Sequence, residues 1–274
     1  AEMHPVARAV RAGARYGIAG DFSNLPEAES RRAEGIYDGL LRLGPERYGD
    51  HDFAVTRDFL RMLGIDASAD ELRPEFWTDA ADRAWAEGAV PRAEGALTLG
   101  IAPGVTAPRG KFYPLEQLAR AVEMAGDARL RVVLFGSASE AGICAELGRL
   151  LDGSPAVASI TDLSGRSTLR QMVEGIRRCD AFLAPDAAAL HVAVALGKPT
   201  VGILGGGHYG RFHPWGDPER NRICSVPMEC YGCNWTCRFA TTRCVLEVTP
   251  EQVAGALRDV LALAGRGAAL HTPA

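Results

Sequence analysis

Lysine is almost missing from this sequence: of 30 basic residues only Lys111 and Lys198 are lysines, and the rest are arginines. Acids outnumber bases, 34 to 30, for a formal net charge of −4. Without a basic excess the chain lacks the field that draws a general nucleic-acid or membrane-surface binder to its target, so no nucleic-acid partner is expected. Long apolar runs are missing too. None approaches the roughly 20 residues that a membrane-spanning helix needs. The opening stretch AEMHPVARAVRAGARYG has no unbroken apolar core, so it does not read as a secretory signal. It also lacks an initiating methionine, which fits a processed chain or a fragment. The sequence holds no internal repeat and no low-complexity tract.

What is present is an alternation. The 274 residues are 47 % hydrophobic and 23 % charged, enough to bury one or two cores. Strands are expected at 96–103 (ALTLGIAP), 130–136 (LRVVLFG), 156–160, 180–185 (DAFLAP) and 199–205 (PTVGILG). Helices are expected from Pro114, over 137–151, over 167–179 and from Asp186. Apolar strands separated by helices imply parallel pairing with both faces covered, a doubly wound α/β domain in residues 96–248. Ligands of such domains sit beyond the carboxyl ends of the strands. Residues 249–264 read as a last helix, with Thr249, Pro250 and Gln252 in a capping-box arrangement, followed by a flexible tail over 265–274. Residues 1–95 differ. A helix and one strand are expected in 4–21, and helices in 28–44 and 50–65, too few strands for a second complete sheet.

Three loops on one sheet edge carry chemistry. The first, 103–114, holds Thr106, Arg109 and Lys111, a hydroxyl and two cations suited to phosphate, or simply a solvated surface. The second is GSASE, 136–140. Ser137 or Ser139 serves as helix cap, which leaves Glu140 to accept the hydroxyls of a sugar or ribose. The third is DAAALHVAVALGKPTVGILG, 186–205. Asp186 stands where an N-cap is expected, and three alanines leave the N–H groups of the first turn open to an anion. His191 lies within reach of the same place. A cap and a core histidine explain this segment alone; beside a lysine loop and an acid loop it reads as a ligand cradle.

At this point the residues resemble a family. IAPGVTAPRGKFYPLEQLA, VVLFGSASE, ITDLSGRSTLRQMVEGIRRCDAFLAPDAAALHVAVALGKPTVGILGG, RFHPWG and CYGCNWTCRFATTRCVLEVTPEQVAGAL follow one another as in glycosyltransferase family 9. That is the family of the ADP-heptose:lipopolysaccharide heptosyltransferases. The resemblance covers about residues 97–262 and implies a GT-B fold, with a nucleotide-sugar domain at the C-terminal side and an acceptor domain at the N-terminal side. It implies an inverting, cytoplasmic glycosyltransferase that takes heptose from ADP-heptose and needs no metal at the diphosphate. The acceptor is a lipopolysaccharide core, another glycan or a protein. Peripheral contact with the inner membrane and an oligomeric state stay open. Thr106 and Lys111 match contacts of the donor diphosphate, Glu140 the acid near the nucleoside, and Ser167 and Leu169 the stretch bordering the base. Asp186, Ala187, Ala188 and His191 match a D-x-G-x-x-H segment, with Ala188 in the glycine's place. The family's glycine-rich first loop and its base, an early aspartate, have no counterpart in residues 1–95, which read as a remnant of the acceptor side. Two other readings stand beside this one: a GT-B transferase or epimerase using a UDP- or GDP-sugar, and a donor-binding or assembly module without transfer.

Five of the seven cysteines fall between Cys224 and Cys244. That clustering is a local feature, not the spread framework of a secreted disulfide domain. Cys230, Cys233, Cys237 and Cys244 have C-x2-C-x3-C-x6-C spacing, which suits a tetrahedral zinc or iron site. A loop stapled by reduced or disulfide-forming cysteines is the alternative. Resemblance to autotransporter heptosyltransferases with an iron-bound cysteine finger implies the metal, in a structural role.

Overall fold

The computed structural model describes residues 7–20, 27–68, 71–92, 95–105, 108–126 and 129–269; the side chains of 108–109 and 266–269 lie outside this description. The chain divides into two compact units, one of residues 1–73 with 210–212, the other of 74–209 with 213–274. The division falls near residue 73, earlier than the expected boundary at 95.

Among the described residues, the first unit holds a two-stranded parallel sheet of β1 (Tyr16–Ala19) and β2 (Gly39–Arg42). It also holds helices α1 (Glu27–Glu34) and α2 (Asp52–Met62). The strand GLLR was expected as helix. Gly39 faces the Tyr16 ring at a distance that leaves no room for a Cβ, and Gly17 meets Tyr37 in the same way. The rings thus lie over the glycines of the paired strand, Tyr16 on Gly39 and Tyr37 on Gly17.

The second unit is built on a six-stranded, wholly parallel sheet: β3 (Thr98–Ile101), β4 (Leu130–Leu134), β5 (Val157–Asp162), β6 (Ala181–Pro185), β7 (Thr200–Ile203) and β8 (Asn221–Cys224). Their spatial order is β5-β4-β3-β6-β7-β8. Counted within this unit, that is the 3-2-1-4-5-6 order of a Rossmann sheet, whose switch point lies between β3 and β6. Five strands match expectation. The sixth, NRIC at the edge, has three half-buried residues out of four and no apolar run to betray it.

Helices cover both faces. They are α3 (Ala80–Ala89), α4 (Pro108–Lys111), α5 (Leu115–Ala125), α6 (Ala141–Leu151), α7 (Leu169–Arg178), α8 (Ala188–Ala195), α9 (Arg243–Leu246) and α10 (Pro250–Ala269). Side chains alternate along each strand. Leu99, Ile101, Val132, Leu134, Leu183 and Val201 join α5, α6 and α10 in one core. Val133, Phe135, Phe182 and Ala184 join α7 and α8 in the other. Between Leu99 and Ile101, Gly100 admits the Phe182 ring, so a Cβ there would stand 2.6 Å from it. The Thr249–Gln252 capping box forms as expected, through bonds of 2.8 and 3.3 Å. The helix it starts runs to Ala269, past the expected end at 264; residues 270–274 of the expected tail lie outside the description.

On the second face, α3 is tied to α7 by charge. Arg170 donates to Asp82 at 2.7 Å and to Asp79 at 2.5 Å. The carboxylate of buried Glu174 accepts from Thr78 at 2.6 Å and Arg177 at 3.2 Å, which answers its desolvation.

Candidate functional site

The carboxyl ends of β3, β4 and β6 open on one cavity of about 310 Å³. Ala102, Gly104 and Phe135–Ser137 form its floor, Glu140 one side, Ser167–Leu169 with Met172 another, and Ala187–Ala189 a third. Five expected site residues therefore meet in one space: Glu140, Ser167, Leu169, Ala187 and Ala188.

Glu140 is fixed by its own turn. Its carboxylate accepts from the Ser137 backbone N–H and from the Ser137 hydroxyl, each at 2.7 Å. The other carboxylate oxygen, Oε1, lies against Gly104 so closely that no Cβ fits there. Ser137 thus caps as expected, with Glu140 closing the box. Across the cavity it is Thr168 that caps α7, accepting from Gln171 N–H at 3.2 Å. That frees Ser167 to line the wall and leaves Leu169 70 % exposed.

Asp186 does not cap α8. The N-cap is Ala187, which makes no side-chain cap bond. A stronger partner takes the carboxylate: Lys111 Nζ lies 2.8 Å from Asp186 Oδ2, with both side chains largely buried, 21 % and 12 % exposed. Ala188 and Ala189 of the first turn line the cavity wall without a side-chain cap from Ala187, and the helix dipole gives their N–H groups a partial positive charge. His191, one turn on, has Nε2 4.0 Å from Asp186 Oδ1. Its Nδ1 accepts from Trp215 Nε1 at 3.1 Å, and its ring stacks on His213 at 4.0 Å. In the neutral ring that bond leaves the proton on Nε2, on the side of Asp186, whose carboxylate at 4.0 Å is beyond hydrogen-bond length. Thr106 lies outside the described residues, as does the Arg109 side chain.

The four cysteines of the C-x2-C-x3-C-x6-C segment line a second, very small cavity. All four are free. Cys244 Sγ accepts from Gly206 N–H at 3.4 Å. Burial pushes the Cys244 thiol above its ordinary range, and the Cys233, Cys230 and Cys237 thiols add to that push. The donor types suit zinc or iron. Among the described residues, however, no three His, Cys, Asp or Glu side chains are drawn into a metal-binding group.

Sequence reading missed Trp215, His213, Met172 and Trp235. The HPWG and GGG stretches were the available signals, but their partners are distant in sequence.

The sheet order gives the second unit a Rossmann-type α/β fold, and its ligand-sized cavity opens at the switch point. The chain belongs to glycosyltransferase family 9, the heptosyltransferase family, whose model matches residues 46–240. The match begins well before residue 97 and so reaches into the first unit. Over 107 residues the chain is 32 % identical to lipopolysaccharide heptosyltransferase 2 of Escherichia coli K12; the alignment covers 39 % of this chain and 30 % of that protein. The chain thus spans under a third of such a curated relative in sequence. In structure it resembles a family 9 glycosyltransferase from Veillonella parvula, with a TM-score of 0.70, 17 % identity, and 95 % and 70 % of the two chains covered. It also resembles the E. coli ADP-heptose lps heptosyltransferase II, with a TM-score of 0.65, 19 % identity, and 93 % and 71 % covered. These likenesses show the GT-B-type α/β fold.

Proposed function

We propose that the chain is the donor-binding part of an inverting heptosyltransferase that takes ADP-heptose and delivers heptose to a lipopolysaccharide-core acceptor at the cytoplasmic side of the inner membrane. One observation carries this reading. A nucleoside-sized cavity with a fixed acid, Glu140, stands beside a helix start with no side-chain cap and a lysine–aspartate pair. Glu140 accepts hydroxyls of the ribose, while Ser167 and Leu169 border the base. The start of α8, Lys111 and Thr106 take the diphosphate. As the anomeric bond breaks, charge grows on the leaving phosphate, and Lys111 with the oriented N–H groups stabilises it without a metal. His191 donates from Nε2 to the same region. The base that deprotonates the acceptor hydroxyl is not assigned to any residue here. Cys230, Cys233, Cys237 and Cys244 would hold a structural zinc or iron; their lining of one small cavity supports this.

A calorimetric panel of ADP, UDP, GDP and ADP-heptose tests the reading. Selective binding of ADP and ADP-heptose is expected. Preference for UDP or GDP would keep the fold and overturn the substrate.

A further inference from the structure

Trp235 stands between Cys233 and Cys237 in the cysteine loop, remote in sequence from every donor-site residue. Its φ is +61° and that of Asn234 is +50°, both left-handed without glycine. Such a pair persists only where the surroundings hold it. The surroundings are backbone. The indole lies on Gly110 from one side and on Gly205 and Gly207 from another; a Cβ on Gly205 would stand 2.8 Å from the ring, and Gly110 and Gly207 are tighter still. Gly232 N–H donates to Gly206 O at 2.8 Å and Asn234 N–H to Gly207 O at 3.0 Å. Trp235 Nε1–H donates to His208 Nδ1 at 3.2 Å. The residue after Gly110 is Lys111, whose Nζ lies 5.1 Å from the indole centroid and 2.8 Å from Asp186.

We propose that Trp235 is a positioning residue for donor binding: its indole, seated on the glycines after β3 and β7, holds the Lys111 ammonium at Asp186. The inference rests on the donor-site reading above. The glycines are what make it possible, because any side chain at 110, 205 or 207 would displace the ring. The face of the indole attracts the cation, and the partly buried setting strengthens that attraction. The cysteine loop thereby sets the geometry of the diphosphate site while touching neither base nor ribose.

The test compares ADP with adenosine, which lacks the phosphates, by calorimetry on the full chain. Trp235→Leu is expected to lower ADP affinity about five- to thirtyfold while adenosine binding stays within about twofold. Trp235→Phe, which keeps an aromatic face, is expected to recover most of the loss. In a Lys111→Ala background Trp235→Leu is expected to change ADP affinity little, because the lysine it positions is gone. Equal losses in both backgrounds, or equal losses for ADP and adenosine, would overturn the proposal. Gly110→Ala leaves every cysteine in place and pushes its methyl into the indole's seat. It is expected to give the same pattern, and it carries the test if Trp235→Leu fails to fold by circular dichroism. If wild-type protein does not prefer ADP and Lys111→Ala has no effect, the donor-site reading fails instead.

Discussion

Removing the Lys111 side chain does two things at once. It takes away a cation, and it leaves the Asp186 carboxylate without its 2.8 Å partner in a largely buried place. An unpaired anion there repels a diphosphate as well as failing to attract it. Lys111→Ala is therefore expected to weaken ADP binding by about thirtyfold or more, since truncating one member of a buried charge pair commonly costs about 2–5 kcal/mol. Adding Asp186→Asn to that variant removes the repulsion and is expected to restore part of the affinity. Calorimetry on the single and double variants checks both. A double variant no better than Lys111→Ala would show that Asp186 does not face the phosphates. Asp186 also shows how local preference yields to a distant partner. Its position before α8 is an N-cap position, but an ammonium 75 positions earlier offers more than a backbone N–H does.

At the scale of elements, the sequence shows the central strands plainly and the edges poorly. β3, β4, β6 and β7 are almost wholly buried, so they appear as apolar runs broken only by Arg131 and by the threonines that open β3 and β7, with helices between them. β8 pairs only with β7, and its Asn221 and Arg222 erase the run. β2 is hidden for another reason: Ile36, Leu40, Leu41 and Leu43 keep a helical spacing, and it is pairing with β1, distant in sequence, that makes the segment a strand. The acid, the lysine and the alanine-rich helix start of the site are legible because each ends a strand of one sheet. The seat of Trp235 is not, because the glycines that form it come from two separate loops, Gly110 in one and Gly205 and Gly207 in the other. The cysteine loop stands between these cases. Its spacing is legible, while its occupancy is a matter of chemistry. Protein purified without chelator is expected to hold about one equivalent of zinc or iron by elemental analysis, and Cys230→Ser with Cys233→Ser to lose it. Metal-free protein with four titratable loop thiols would sink that assignment.

Over the whole molecule, the cysteines outside the loop give stability a pH dependence of definite sign. Cys144 and Cys224 lie in one core and Cys179 in the other, so both faces of the sheet bury thiols. Burial pushes Cys144 and Cys179 up to about 12 and Cys224 up to about 11, against an ordinary value of 9.0. Burial also pushes the Tyr113 phenol, which donates to Val248 O at 2.9 Å, above its usual range. The folded state thus holds these protons more tightly than the unfolded chain does. Their contribution is complete below about pH 9 and is lost as pH rises toward 11–12, because the unfolded thiols ionise first. Lys198 works the other way: burial lowers its pKa, so its cost at neutral pH shrinks as the solution becomes alkaline. One lysine opposes three thiols and a phenol, so the net effect is loss. Urea midpoints are expected to fall steeply between pH 9 and pH 10.5, by an amount on the order of a few kcal/mol in unfolding free energy. Cys179→Ala removes one of the protons and is expected to flatten the slope while leaving the donor cavity, which it does not line, unchanged in ADP affinity at pH 7.5. An unchanged slope in Cys179→Ala would show that Cys179 has no share in the alkaline loss, and an unchanged slope in Cys144→Ala and Cys224→Ala as well would place that loss outside the buried thiols.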